Sequence, residues 1–199
     1  MNSISSHKSS NLSGNLIVPG DKSISHRSLI IGSLVNGRIE INNLLESEDV
    51  IATANALRIL GVQINKLNNK WEVFGSGIGN FYGSNYTLNM GNSGTGARLL
   101  MGLIAGSDIE ATFIGDESLS KRPMKRITTP LKKTGAIIGN QTNNLPIRIK
   151  GNKIVLPIEY ESSVSSAQVK SSILLAGLSS LGKTTVIEPT LSRDHTERM

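Results

Sequence analysis

A chain of 199 residues, 38% hydrophobic and 18% charged, has the composition of a globular protein and the length for one large domain or two small ones. The absence of cysteine excludes a disulfide scaffold, thiolate-bound zinc, iron–sulfur clusters and a cysteine nucleophile, and the scattered His7, His26 and His195 lack metal-ligand spacing. A net charge of +6, with pI near 9.7, favours an anionic partner: nucleic acid, an anionic membrane, or a phosphorylated or carboxylated small molecule.

The polar stretch from Met1 to Ser13 carries no hydrophobic core of a secretory signal, and no apolar run approaches the ~20 residues of a membrane span. The expectation is therefore an intracellular, cytoplasmic protein. Leu16-Ile17-Val18 predicts a short strand stopped by Pro19-Gly20. A helix is predicted from Ile24 to Leu34, stopped by Gly37, then a strand over Ile39-Glu40-Ile41. Ser47 is placed to cap a second helix, Glu48 to Leu60, with acidic residues in its first turn. Val62 to Lys66 and Lys70 to Phe74 predict a hairpin around Asn68-Asn69.

The order then returns. Tyr86 to Met90 predicts a strand, Gly94 to Ala105 a helix after a glycine-rich turn, and Ala111 to Ile114 a strand. A basic helix is expected from Pro123, with Met124, Ile127 and Leu131 on one face. Gly135 to Ile138, Ile147 to Lys150 and Lys153 to Ile158 supply further strands. A third round opens with a helix from Ser166 to Leu178 and the strand Thr184 to Glu188, after which Ser192 to His195 reads as the start of another helix. The opening helices begin near positions 24, 94 and 166, or 70 and 72 residues apart, which predicts a helix–strand–helix–strand–strand unit used three times. The third unit is expected to be incomplete, as in a fragment of a longer protein.

Each opening helix begins in residues suited to an anion. Gly20 to Arg27 places Lys22, Ser23 and Arg27 at a helix start, with Ser23 and Arg27 on one face. Met90 to Arg98 puts three glycines before a helix and Arg98 one turn inside it, without the spacing of a dinucleotide-binding fingerprint. Ser163 to Lys170 clusters hydroxyls and an amide. Ordinary capping explains any one cluster; three at equivalent positions argue for helix ends converging on one ligand. Lys121 to Lys133 gathers six cations without the interleaved aromatics that stack bases, so a solvated face competes with nucleic-acid binding, and Arg122 is best placed to reach a ligand. Gly177 to Thr184 satisfies the P-loop pattern, but a helix precedes it and a strand follows, the reverse of what phosphate binding requires. His195 is expected to be exposed and receives no role.

Together these segments resemble the N-terminal half of the 5-enolpyruvylshikimate-3-phosphate synthase family, in its class II-like bacterial branch. The resemblance rests on Pro19 to Arg27, Gly91 to Thr95, Lys121 to Met124, Ser166 to Ser171 and Ser192 to Glu197, in the family's order and spacing. It implies an α/β fold of the α+β type, built from repeated βαβαββ units in an inside-out, barrel-like domain. Residues 20–199 would form the first domain with its third repeat truncated, and the strand within 1–19 would belong to a second domain.

The implied reaction moves the enolpyruvyl group of phosphoenolpyruvate to the 5-hydroxyl of shikimate 3-phosphate, with no metal or organic cofactor, in a cytoplasmic enzyme that is a monomer at full length. Carried over by position, Lys22, Ser23, Arg27, Ser166, Ala167 (through its backbone), Gln168, Ser192 and Arg193 would bind shikimate 3-phosphate. Lys22, Gly94, Arg122 and Gln168 would face phosphoenolpyruvate, and Lys22 would be catalytic. The family's acid and base groups would lie outside this chain, which would be inactive alone. In the family a methyl at the position of Gly94 crowds glyphosate, so a glyphosate-sensitive full-length enzyme is expected. A UDP-N-acetylglucosamine enolpyruvyl transferase is disfavoured because Ser23 stands where that relative has Asn. The readings from a different class are a basic nucleic-acid-binding module and a P-loop nucleotide-binding protein.

Overall fold

The computed structural model describes residues 3–68, 70–139 and 143–199. Helix α1 (Lys22–Leu34) starts two residues earlier than predicted because Asp21 caps it, its Oδ1 accepting the Ile24 N–H at 2.8 Å. It ends in extended backbone at Val35, so Gly37 (φ +137°) lies inside strand β1 (Asn36–Asn42) instead of terminating the helix. Helix α2 (Glu48–Ile59) follows Ser47 as predicted, although the Ser47 hydroxyl makes no capping bond. Its first turn is instead favoured by Glu48 and Asp49 against the helix dipole. The predicted strand at Leu16–Val18 is absent: these side chains are 86, 93 and 63% exposed and pair with no strand. Three apolar residues become a strand only against a sheet edge, and here they meet none.

Strands β2 (Gln63–Leu67) and β3 (Lys70–Ser76) form the predicted antiparallel hairpin. Asn68 takes the left-handed conformation at its turn, and Asn69 lies outside the described residues. With β1 they give a sheet of order β1-β3-β2. Strand β4 (Tyr82–Asn89), helix α3 (Gly94–Ala105), strand β5 (Asp108–Ile114), the short helix α4 (Glu117–Ser120), helix α5 (Lys125–Lys133) and strands β6 (Ile137–Gly139) and β7 (Ile147–Lys150) follow. Their sheet has the order β4-β5-β7-β6, with β4 and β5 parallel and β7 antiparallel to both neighbours. Strand β8 (Glu159–Glu161), helix α6 (Ala167–Gly177), strand β9 (Thr185–Ile187) and helix α7 (His195–Arg198) complete the chain, with β8 and β9 parallel.

The middle unit, apart from α4, is therefore β-α-β-α-β-β. The first repeats it as β1-β3-β2 in place of β5-β7-β6, without a counterpart of β4 among the described residues. The third repeats its opening as β8-α6-β9-α7. Two expectations fail locally. Residues 153–158 are not a strand; Val155 makes one bridge to Ser180, the Leu156 N–H bonds the Thr134 carbonyl, and the strand begins at Glu159. Helix α4 was not predicted, and the basic helix begins after Pro123, at Lys125.

The opening helices α1, α3 and α6 form the buried layer. Alternation along β5 buries Ile109, Ala111 and Phe113 on the helices and turns the other face outward. Ile109 and Phe113 each contribute about 1.5–3 kcal/mol by this burial, and Ala111 less. Helices α3 and α6 approach closely through small residues: a Cβ on Gly102 would stand 2.2 Å from the Ser172 carbonyl oxygen. Helix α2 packs on α1 and α3, α5 on α3 and α6, and α7 on α1. An apolar groove of about 530 Å³ lies between α1 and α6, lined in part by Leu34, Val35, Leu174 and Leu178. No helix among the described residues is long and apolar enough to cross a membrane.

Candidate functional site

Because the opening helices of the three units are packed side by side, residues 70 positions apart meet at their N-terminal ends. One crevice is lined by Ser23 and Arg27 of α1, Thr95 of α3, Ala167 and Gln168 of α6, and Arg193 and His195 beyond β9. A second cavity of about 500 Å³ opens beside it, shared by Ser165, Ser166, Ala167, Gln168, Ser192 and Arg193. The three sequence clusters thus converge as predicted. His195 departs from expectation: it is half-buried on the crevice wall, and its Nδ1 is buried without a partner.

Arg27 is 3% exposed, yet its partners are all neutral. Its guanidinium donates to the Thr196 hydroxyl at 2.7 Å, the Ser171 hydroxyl at 2.8 Å and the Ser23 carbonyl at 3.0 Å. Burial, and then the charge of nearby Arg193, push its pKa below the usual arginine value. Glu197 and Asp21 oppose this from farther off, but neither pairs with Arg27, and two cations facing one crevice attract an anion.

Gln168 is fixed from both sides. Its Oε1 accepts from Arg98 at 2.8 Å, and its Nε2 donates to Thr95 Oγ1 at 2.9 Å. The cationic donor settles the orientation of the amide, leaving its second N–H for a ligand. Burial lowers the Arg98 pKa, with smaller contributions from Arg126 and Arg122, so three guanidinium groups gather near the start of α3. A Cβ on Gly94 would lie 3.1 Å from Arg122 Nη1 and 3.2 Å from Arg98 Nη1. Gly94 is therefore the floor beneath two arginines, and Arg122 is steadied by Asn92 and by Ser118 at 3.2 Å.

Lys22 does not line the crevice. Its ammonium, 49% exposed, is ion-paired to Asp49 at the start of α2. The basic run divides: Lys121 pairs with Glu117 at 2.5 Å, Arg122 and Arg126 approach Arg98, and Lys133 lies 5.5 Å from the Tyr160 ring. The P-loop-like stretch joins α6 to β9 in the unproductive order, with Lys183 exposed.

Several residues left without a role prove to hold the site together. Ser171 and Thr196 share a hydrogen bond of 2.6 Å beneath Arg27. Ser165 is tied to the Thr190 carbonyl at 2.6 Å, and Thr95 anchors Gln168. Ser165, Ser171, Thr95 and Thr196 all lie within the motif segments, so adjacency could have marked them. Glu188, which accepts hydrogen bonds from both Ser166 and Ser192, carries no periodic signal at all.

A sequence profile described as EPSP synthase (3-phosphoshikimate 1-carboxyvinyltransferase) matches residues 6–199. The chain is 52% identical over 197 residues to 3-phosphoshikimate 1-carboxyvinyltransferase of Bartonella quintana, covering 98% of this chain and 45% of that protein. The corresponding protein of Rhodospirillum rubrum is 52% identical over 199 residues, covering 97% and 44%. The solved EPSP synthase from Acinetobacter baumannii superposes with a TM-score of 0.87 at 44% identity, over 93% of this chain and 42% of that one. The chain thus spans about 45% of the length of the curated relatives it matches. With this match across nearly the whole sequence and a shared fold, the chain belongs to the EPSP synthase family.

Proposed function

We propose that this chain supplies the shikimate 3-phosphate side of a site that transfers the enolpyruvyl group of phosphoenolpyruvate to the substrate's 5-hydroxyl, releasing phosphate. The observation that carries this reading is Arg27, a buried cation with neutral partners, facing Arg193 across a crevice lined by hydroxyls and an amide. A ring bearing hydroxyls, a carboxylate and a phosphate matches the lining of this narrow crevice and the roomier cavity beside it better than a polynucleotide backbone would. In this reading Ser23 and Arg27 hold the shikimate moiety. Ser166, the Ala167 backbone, Gln168, Ser192 and Arg193 take its phosphate end. Lys22, Gly94, Arg122 and Gln168 face phosphoenolpyruvate, whose negative charge the arginines around Gly94 would balance.

In the transfer, the 5-hydroxyl gives its proton to a base as its oxygen bonds to C2 of phosphoenolpyruvate, and an acid protonates C3 to a methyl group. The tetrahedral intermediate then loses phosphate and the C3 proton. Lys22, released from Asp49 toward the reacting oxygens, would stabilise the charge that develops. Acid and base groups would come from residues outside this chain, as would the second domain to which the segment 1–19 contributes. The assembled enzyme is proposed to be cytoplasmic and monomeric, and to bind no nucleic acid. Calorimetric titration tests the reading: shikimate 3-phosphate should bind more tightly than shikimate or inorganic phosphate alone, and equal, feeble heats from all three would overturn it.

Gly94 extends the reading to inhibition by glyphosate. A methyl there would press on Arg122 and Arg98. Gly94→Ala in the full-length enzyme should raise the glyphosate concentration for half-inhibition at least tenfold, and unchanged inhibition would contradict this assignment.

A further inference from the structure

Glu188 follows β9 and has a side chain only 6% exposed, at the edge of a cavity read above as the seat of a phosphate. A bare carboxylate there would repel its ligand. Its charge is instead consumed on four sides. Oε1 accepts the Ser166 N–H at 2.9 Å. Oε2 accepts the Ser192 hydroxyl at 2.8 Å and the Ser192 N–H at 3.4 Å, and the Lys170 ammonium lies 3.0 Å away. Lys170, itself 10% exposed, is shared with Glu197 at 2.7 Å. A second tie, from Ser165 to the Thr190 carbonyl at 2.6 Å, fastens the same two chain segments.

We propose that Glu188 is a positioning residue for the phosphate end of the site: it fixes Ser166 and Ser192 while Lys170, shared with Glu197, and the two backbone N–H groups offset its charge. The inference rests on the functional reading above and adds to it a buried acidic residue that touches no substrate. The hydroxyl of Ser192 has one proton, and it is given to Glu188. The phosphate therefore meets that oxygen only after the proton swings from carboxylate to ligand, while the backbone bonds to Glu188 keep the oxygen in place. The same carboxylate thus sets where the hydroxyl stands and competes for its proton.

Glu188→Gln keeps the size of the side chain but sets an amide N–H₂ among an ammonium and two backbone N–H groups that can only donate. Titrating the 199-residue chain and this variant with shikimate 3-phosphate and with shikimate separates positioning from general damage. The variant should bind shikimate 3-phosphate about tenfold more weakly, at unchanged affinity for shikimate. In a cycle with Ser192→Ala, the double variant should lose less than the product of the two single losses. Affinity for shikimate 3-phosphate equal to that of the unaltered chain, or parallel loss of both ligands, overturns the proposal. If Glu188→Gln does not fold, Glu188→Asp keeps the charge beside Lys170 and withdraws it from the serines; a loss confined to shikimate 3-phosphate supports positioning, and no loss overturns it. An unaltered chain that fails to distinguish the two ligands overturns the underlying reading instead, before any variant is compared.

Discussion

Arg27 and His26 are neighbours in sequence and both buried, and burial leaves them in opposite charge states. Arg27 stays cationic at neutral pH because a guanidinium gives up its proton only far above that range, whereas His26 is held neutral. Burial lowers the His26 pKa to about 4; Asp49 opposes this, and Lys22 and Arg27 add to it. Its Nδ1 shares a hydrogen bond of 2.8 Å with Thr53 of α2, and its Nε2 has no partner. Between pH 6.5 and 4 the unfolded chain binds the proton and the folded one does not. The stability from this group is therefore complete above pH 6.5 and falls by about 3 kcal/mol as pH drops to 4. Urea unfolding at a series of pH values should show that step in the unaltered chain and lack it in His26→Leu, whatever the carboxylates contribute to both. For Arg27, the test is geometry against charge. Arg27→Lys retains the charge but abandons the hydroxyls of Ser171 and Thr196, and calorimetry should show shikimate 3-phosphate binding weakened by about 10–100-fold.

Among the elements, helices were the most legible. Helix α3 shows the predicted bounds, and α1, α2 and α6 differ from theirs by one or two residues, because caps and apolar spacing are local signals. The failures are those of context. Leu16–Val18 has a strand's composition without a sheet to join, and 153–158 spends its backbone bonds on Thr134 and Ser180 in place of a ladder. Helix α4 hid in a four-residue turn capped by Asp116. Helix pairing was also illegible: only the structure shows that Gly102 lets α3 settle on α6. Gly102→Ala would drive a methyl into backbone at 2.2 Å, which no rotamer change relieves. The variant should lose roughly 1–3 kcal/mol in urea unfolding; a loss below 0.5 kcal/mol would show that the two helices separate freely.

On the scale of the whole molecule, the threefold recurrence of element order foretold that the three motif clusters would meet, since equivalent helices packed together bring equivalent ends together. The motif residues Ser23, Arg27, Ala167, Gln168 and Arg193 therefore share one crevice. The partners in the supporting layer were not legible: Thr95, Ser171 and Thr196 lie inside the motif segments, but their contacts join segments up to 169 residues apart, and Glu188 lies outside the motifs altogether. The net charge of +6 is likewise organised by the fold, with arginines directed to the helix ends and the lysines of the basic run partly engaged elsewhere. Binding of a small phosphorylated ring should accordingly weaken modestly with salt, in contrast to the steep dependence of a polynucleotide that releases many counterions.

In the proposed function, the three helix ends form one seat for a small phosphorylated ring. It is tested most directly by an NMR titration of the isotopically labelled chain with shikimate 3-phosphate, using Mg-ATP and a short oligonucleotide as controls. Saturable shifts with shikimate 3-phosphate are expected at Ser23, Arg27, Ser166 and Gln168 together, with no common site for the controls. Shifts confined to oligonucleotide along 121–133, or to Mg-ATP around Lys183, would contradict it.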